Sequence, residues 1–161
     1  MKQPTLYLMC GLPFSGKSHT GRKIAELIGG NFLSYDLLWN ELFDKTGVDT
    51  PWEEMKRFTN KRITDSLILG KSIVYDTLND TIGNRDEFRK LVKNANAKIL
   101  IVYMNTPVEL ITERRKVNEE TKVRHSVPED RFQESIERFE PPINEANVIE
   151  VTPETDLENK I

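Results

Sequence analysis

Residues 11–18 of this 161-residue chain carry the pattern G-x-x-x-x-G-K-[ST], which ends in Lys17 and Ser18. Glycines at these positions let the backbone turn tightly, so that successive N–H groups converge on phosphate oxygens. The N-terminus of a following helix adds partial positive charge, the lysine reaches the β- and γ-phosphates, and the hydroxyl binds Mg²⁺. The spacing therefore predicts a site for a nucleoside triphosphate and a magnesium ion.

The sequence around this loop predicts a strand before it and a helix after it. An apolar run, Thr5–Cys10, precedes the loop, and apolar residues at helical spacing follow it until Gly29 and Gly30. A strand–loop–helix unit is the context in which the pattern binds phosphate. We expect the nucleotide to contact the loop and the first turn of the helix, through Gly11, Pro13, Phe14, Ser15, Gly16, Lys17, Ser18 and His19.

Two aspartates follow predicted strands. Asp36 comes after the run 31–35, and Asp76 ends the run 72–76. Open α/β sheets bind ligands at the carboxyl ends of their strands, where Asp36 could take the proton of an attacking hydroxyl or orient it. Asp76 is suited to binding Mg²⁺ together with Ser18. The alternative for each is an aspartate that only caps the next turn or helix.

A charged segment, residues 113–126, joins two helical patterns and lacks apolar periodicity at its centre. A mobile basic segment can close over a phosphate site, exclude water and present guanidinium groups to the transferring phosphoryl. We assign that role to Arg115 and Arg124, with Arg114 and Lys122 behind them. The alternative is a solvated charged surface.

Short apolar runs alternate with helix-length amphipathic segments along the chain. This alternation predicts a parallel sheet covered by helices on both faces, which is a three-layer α/β fold. Proline-containing signals such as Thr50-Pro51 and Thr106-Pro107 predict helices with a threonine N-cap and proline at the first helical position. Asn84 and Ser126 mark two more predicted helix starts. The strands are predicted near residues 5–10, 31–35, 72–76, 98–104 and 147–151.

Length and composition predict one domain over residues 1–151, with a helical insertion at 37–70, a lid at 114–127 and a polar tail at 152–161 that frays or is disordered. The net charge of −3 disfavours an extended nucleic-acid surface. The single Cys10 excludes an internal disulfide and is expected to be a buried hydrophobic residue. The sequence shows no apolar leader and no apolar stretch long enough to cross a membrane, so we expect a cytoplasmic protein without membrane contact.

In order along the chain, the motifs resemble those of P-loop kinases related to the kinase domain of polynucleotide kinase, zeta toxins and chloramphenicol phosphotransferase. The resemblance implies a P-loop NTPase fold with a five-stranded parallel sheet, the loop strand at its centre, Mg-ATP as donor and a hydroxyl as acceptor. The matching segments are the loop at 11–18, Ser34–Asp36, Val74–Asn79 with Arg85 behind it, Arg115 with Asn118, residues 124–128 and residues 139–142.

One departure from that family concerns the acceptor. Sites of the polynucleotide-kinase type carry an arginine shortly after the base aspartate, whereas here no cation follows Asp36 until Lys45. The missing guanidinium weakens the case for a phosphorylated acceptor. Trp39 and Asn40 would suit a neutral, ring-bearing substrate, although Trp39 is equally suited to the core.

Two functions are compatible with these residues. The first is an ATP-dependent phosphotransferase whose acceptor hydroxyl belongs to a polynucleotide 5′ end, a nucleotide sugar or another small molecule, with Lys17, Asp36, Arg115 and Arg124 as its catalytic residues. The second is an ATP-binding switch or slow ATPase without a small-molecule acceptor. The donor base stays open between adenine and guanine, and so does the oligomeric state.

Overall fold

The computed structural model describes residues 3–161 and contains one sheet of five parallel strands. The strands lie in the order β2-β3-β1-β4-β5, so the strand that leads into the phosphate-binding loop is at the centre, as the resemblance implied. All neighbouring strands pair in parallel. Their bounds are β1 Thr5–Cys10, β2 Asn31–Ser34, β3 Ile73–Asp76, β4 Lys98–Met104 and β5 Val148–Val151.

Helices cover both faces of the sheet, which confirms the predicted three-layer α/β fold. Among residues 3–161, no helix combines the length and the apolar character needed to cross a membrane. The helices are α1 Lys17–Ile28, α2 Tyr35–Thr46, α3 Trp52–Ile68, α4 Ile82–Asn94, α5 Val108–Thr121, α6 Glu129–Arg138 and α7 Leu157–Lys160.

The core consists of two layers, one on each side of the sheet. Alternate residues of β1 enter opposite layers, because successive side chains of a strand point to opposite faces. Leu6 and Leu8 pack with Ile63 of α3 and its neighbours, whereas Met9 packs with Ile24 of α1. A central strand buried on both faces must be apolar throughout, which accounts for the uninterrupted run before the loop.

The helix starts differ from their predictions by one or two residues. Pro51, Pro107 and Pro128 occupy the N-cap position with extended ψ angles, rather than the first helical position. Helix α4 begins before Asn84, whose backbone N–H donates to the hydroxyl of the actual N-cap, Thr81, at 3.2 Å. The proline signals therefore locate the helices, but the predicted N-caps Thr50, Thr106 and Ser126 lie outside the N-cap position.

The charged segment at 113–126 is more regular than predicted. Helix α5 continues through Thr121, and the connection to α6 begins only at Lys122. Asn118 then holds this connection: its Oδ1 accepts the Arg124 backbone N–H at 2.8 Å, and its Nδ2 donates to the Arg124 carbonyl at 3.1 Å. The expected irregular centre is thus helical, because a buried asparagine replaces the apolar residue that periodicity would require.

The polar tail also contains structure that the sequence did not predict. Residues 157–160 form α7, and Asp156 is its N-cap. The Asp156 carboxylate accepts the backbone N–H of Glu158 at 3.1 Å. Leu157 and Ile161 pack against the core layer that contains Val151. Two apolar side chains in an otherwise polar segment are enough to attach it to the end of the sheet.

A buried ion pair joins the second half of the chain to the sheet. Arg85 is completely buried, and its guanidinium contacts the Glu145 carboxylate at 2.5 Å. Arg89 contacts the other oxygen of the same carboxylate, also at 2.5 Å. Arg85 donates further hydrogen bonds to the carbonyls of Asn79 and Glu140, both at 2.8 Å. The α4 helix, the loop after β3 and the segment before β5 therefore meet at one guanidinium.

Removing the carboxylate of this pair should be costly. We expect Glu145→Ala to lower the free energy of unfolding by about 3 kcal/mol, because it leaves the buried charge of Arg85 without its counterion. Urea unfolding followed by circular dichroism measures this change. The control is Glu134→Ala, which removes an exposed pair with Arg131 and should cost less than about 1 kcal/mol. Equal effects of the two substitutions would contradict the structural importance of the Arg85 pair.

The same pair should make stability sensitive to acid. Burial tends to raise the pKa of Glu145, but hydrogen bonds from Arg85 and Arg89 outweigh it and hold the pKa below the usual value. A lowered carboxylate pKa stabilises the fold above the unfolded-state pKa of about 4.3, and this contribution is lost as the pH falls through the lowered value. We expect the stability difference between wild type and Glu145→Ala to be constant from neutral pH to about pH 5 and to shrink below about pH 4. A difference that grows on acidification would be inconsistent with this sign.

Candidate nucleotide and acceptor site

The loop between β1 and α1 has a backbone that requires glycine at two places. Gly16 has a φ of 100°, and Gly11 has a φ of 154°. A Cβ at Gly11 would lie 2.8 Å from the Ser15 Oγ and 3.0 Å from the Met104 Cβ. The loop therefore closes tightly against the end of β4, and a side chain at position 11 would disturb it.

Two side chains from outside the loop support its backbone. The Thr106 hydroxyl, predicted to be a helix cap, instead donates to the Ser15 carbonyl at 2.8 Å. The guanidinium of Arg114 donates to the Phe14 carbonyl at 3.1 Å. Both donors lie on or next to α5, so this helix supports the phosphate-binding loop.

Lys17 is the first residue of α1, and its ammonium group folds back over the loop. It donates to the Gly11 carbonyl at 2.9 Å and to the Leu12 carbonyl at 2.8 Å. Burial lowers the pKa of Lys17, Arg124 adds to the lowering, and the carboxylate of Asp76 opposes it. His19 is exposed in the first turn of α1.

Ser18 and Asp76 form a pair suited to a magnesium ion. The Ser18 hydroxyl donates to the Asp76 Oδ2 at 2.5 Å across the ends of α1 and β3. Burial raises the pKa of Asp76, whereas the Ser18 hydrogen bond and the charge of Lys17 act against that rise. Hard oxygen ligands next to a phosphate loop fit Mg²⁺, which takes most of its ligands from phosphate and water. Residues 3–161 contain no group of three or more histidine, cysteine, aspartate or glutamate side chains placed to hold a metal ion.

Asp36 lies in the first turn of α2, two residues beyond the end of β2, and is exposed. It is not the helix cap, because the Ser34 hydroxyl has that role and accepts the Leu37 backbone N–H at 3.2 Å. Ser34, two residues before Asp36, pairs with Asp76 across β2 and β3, so the two aspartates belong to the same edge of the sheet. A carboxylate in this position is available to a substrate hydroxyl.

The three arginines after β4 have different surroundings. Arg114 faces the loop, because its guanidinium donates to the Phe14 carbonyl, whereas Arg124 is exposed in the connection after α5. Arg115 instead faces α6: it donates to the Val127 carbonyl and to Glu129, and its guanidinium lies 4.9 Å from the centre of the Phe132 ring. In this arrangement Arg115 joins α5 to α6. Its predicted contact with a transferring phosphoryl stays a prediction.

A cavity of about 80 Å³ adjoins the two aspartates and is lined by the helical insertion, the loop after β3 and α4. Trp39, proposed for this role from the sequence, is not among the lining residues and stacks on Phe43 with ring centres 5.0 Å apart. Trp52 of α3 lines the cavity instead. Asn40, proposed together with Trp39 from the sequence, does not line the cavity either. The lining residues are Tyr35, Trp52, Lys56, Thr59, Asn60, Tyr75, Thr77, Leu78, Asn79, Asn84, Glu87 and Phe88.

Asn79 connects this cavity to the loop. Its Nδ2 donates to the Met9 carbonyl at 2.7 Å, and its own carbonyl accepts from the Cys10 thiol at 3.2 Å and from Arg85. Burial raises the pKa of Cys10 to about 11 in spite of the nearby positive charge of Arg85. The predicted buried position of Cys10 is confirmed.

Comparison with known proteins gives the same assignment of fold. A solved structure of a putative kinase from Chloroflexus aurantiacus J-10-fl has a TM-score of 0.76 at 16% identity and covers 99% of this chain and 95% of its own. A gluconokinase from Sinorhizobium meliloti 1021 has a TM-score of 0.65 at 21% identity and covers 98% of this chain and 86% of its own.

Two comparisons rest on sequence. A shikimate kinase from Acinetobacter baumannii (strain AYE) is 32% identical over 117 residues, which are 69% of this chain and 61% of the relative. The chain therefore spans about three-fifths of that relative's length. The family model described as an AAA domain matches residues 6–142. This match includes the phosphate-binding loop, both aspartates, the helical insertion and all three arginines, and it identifies the chain as a member of the AAA domain family.

Proposed function

We propose that the protein is a P-loop kinase that transfers the γ-phosphoryl of Mg-ATP to a hydroxyl of a small molecule. One observation carries this proposal: Lys17, the Ser18–Asp76 pair and Asp36 lie at one edge of the sheet, next to a cavity lined by a separate helical insertion. A donor site and an acceptor site that share a carboxylate are what transfer to a hydroxyl needs. A switch or slow ATPase has no acceptor and would not need this cavity.

In this proposal the loop and Lys17 bind the β- and γ-phosphates, and Ser18 with Asp76 binds Mg²⁺. A bound Mg²⁺ supplies charge neutralisation between the β- and γ-phosphates. Asp36 orients the acceptor hydroxyl and takes its proton. Arg114 and Arg124 stabilise the charge on the transferring group, with Arg115 as the third candidate from the sequence. The donor is ATP or GTP.

The similar proteins favour a small acceptor over a polynucleotide end, since two of them carry the names shikimate kinase and gluconokinase. Within the AAA domain family we place the chain with the polynucleotide kinase, zeta toxin and chloramphenicol phosphotransferase group. The order of its motifs, with the buried Arg85 behind residues 74–79, supports that placement. The proposal includes a cytoplasmic location, where a protein with one free thiol keeps it reduced.

The role of Asp36 is tested by Asp36→Asn. We expect transfer of labelled γ-phosphate to an acceptor to fall by about 100-fold or more, because the amide cannot take the proton. ATP affinity should change less than about threefold, since Asp36 lies outside the phosphate-binding loop. Asp44→Asn, an exposed substitution on the same helix, is the control and should leave transfer unchanged.

A substrate screen in the presence of Mg²⁺ provides the measurement. The acceptors span sugars, cyclitols, nucleosides, hydroxylated antibiotics and 5′-hydroxyl oligonucleotides. Lys17→Ala should abolish both ATP binding and transfer. Tight ATP binding without any labelled acceptor would count against a kinase and favour the switch.

Substitutions of the three arginines should change different measured quantities, namely kcat and the melting temperature. Arg114→Ala and Arg124→Ala should lower kcat by about 100-fold with a smaller effect on ATP affinity, because each removes a charge that stabilises the transferring group. Arg115→Ala should also lower the melting temperature, because its guanidinium joins α5 to α6. Arg131→Ala, in an exposed pair on α6, serves as the control. A melting temperature unchanged by Arg115→Ala would contradict the role of Arg115 in packing α6.

A further inference from the structure

We propose that the acceptor is an uncharged compound that places one ring in the cavity beside Asp36. This inference rests on the proposed kinase activity and specifies the substrate class of the same site. It depends on the charges, the aromatic surfaces and the size of the cavity, taken in turn below.

The cavity offers no free cation to an anionic acceptor. Lys56 is the one positively charged residue in its lining, and its ammonium already contacts the two Glu87 carboxylate oxygens at 2.8 and 3.0 Å. The hydrogen bond to Glu87 raises the pKa of Lys56, so this contact favours the charged ammonium. An acceptor carboxylate or phosphate would have to displace Glu87 or remain without a counterion.

The negative charges nearby add to this selection. Tyr35 in the cavity wall directly precedes Asp36, and Glu87 belongs to the lining itself. An anion in the cavity would therefore meet the carboxylate of Glu87, with Asp36 one residue from the wall. The other polar lining residues are neutral hydroxyls and amides, such as Thr77, Asn60 and Asn84, which match hydroxyl groups.

Aromatic rings form two walls of the cavity. Tyr35 and Trp52 lie with ring centres 5.6 Å apart on the side of the insertion, and Tyr75 and Phe88 lie 5.5 Å apart on the side of β3 and α4. Trp52 is 61% exposed although it belongs to the lining, so one large apolar surface at the mouth is available for a ligand. Two aromatic walls favour a flat or ring-shaped apolar surface between them.

The size of the cavity limits what it can enclose. At about 80 Å³ it is roughly half of an engineered cavity of about 150 Å³ that binds benzene. It can enclose part of a single ring, and the rest of the ligand would lie at the mouth against Trp52 and Leu78. Leu78 is 46% exposed, which leaves apolar surface for that contact.

The test compares pairs of ligands that differ only in charge. Shikimate and its methyl ester share one ring and the same hydroxyls, and phenyl glucoside and phenyl glucuronide form a second pair. Binding to the full chain is measured by isothermal titration calorimetry in the presence of Mg²⁺ and ATP-γ-S. We expect the uncharged member of each pair to bind at least tenfold more tightly.

Glu87→Gln tests whether the Lys56–Glu87 ion pair causes the preference for uncharged ligands. It frees Lys56, so the preference for the uncharged member should shrink at least threefold, whereas the control Glu134→Gln on α6 should leave it unchanged. Trp52→Ala should weaken binding of the uncharged ligands about tenfold. These effects on binding do not depend on catalysis.

The outcomes separate this inference from the proposed function. Preference for the anionic members, or no binding of any uncharged member at millimolar concentration, would overturn the inference. Transfer from ATP to an anionic acceptor that Asp36→Asn abolishes would overturn it as well, while leaving the kinase proposal intact. Tighter binding of the uncharged ligands without any transfer would support the preference of the cavity for uncharged rings and count against the kinase.

Discussion

The guanidinium of Arg85 is the buried charge on which the arrangement of the site depends. A guanidinium cannot shed its proton to escape burial, so partners from several segments must come to it. Glu145 supplies the counterion, and the carbonyls of Asn79 and Glu140 complete the hydrogen bonds. Asn79 also binds the end of β1, one residue before Cys10 and two before the loop. One ion pair thus sets the spacing between the phosphate-binding loop and the acceptor cavity.

Opposite charges are concentrated at the carboxyl edge of the sheet. The ammonium of Lys17 donates to two loop carbonyls, so its charge is positioned by the backbone rather than by a carboxylate. Asp76 ends β3 and Asp36 follows β2 by two residues, so both carboxylates belong to the same edge of the sheet as the loop.

Helix α5 contacts both the phosphate-binding loop and α6, through two adjacent arginines. Arg114 supports the loop through Phe14, and Arg115 packs on Phe132 and holds the start of α6. Neighbouring residues on a helix point about 100° apart, so the two side chains leave α5 in different directions. The sequence predicts a cluster of positive charge here, but the direction of each guanidinium depends on how α5 is rotated against β4 and α6.

The sequence by itself determined the loop, the order of its strand and helix, the parallel sheet and the two aspartates at strand ends. These features follow from local rules, namely glycine geometry, apolar runs and the position of residues just beyond a strand. The Asn79–Arg85–Glu145 contacts and the cavity around Trp52 were decided only by the tertiary structure. Asn79 and Glu145 lie 66 positions apart, on the segments that follow β3 and precede β5, and these segments meet only in the folded sheet. Local patterns predict the secondary structure of a segment, but the partners of a buried charge depend on which segments the sheet brings together.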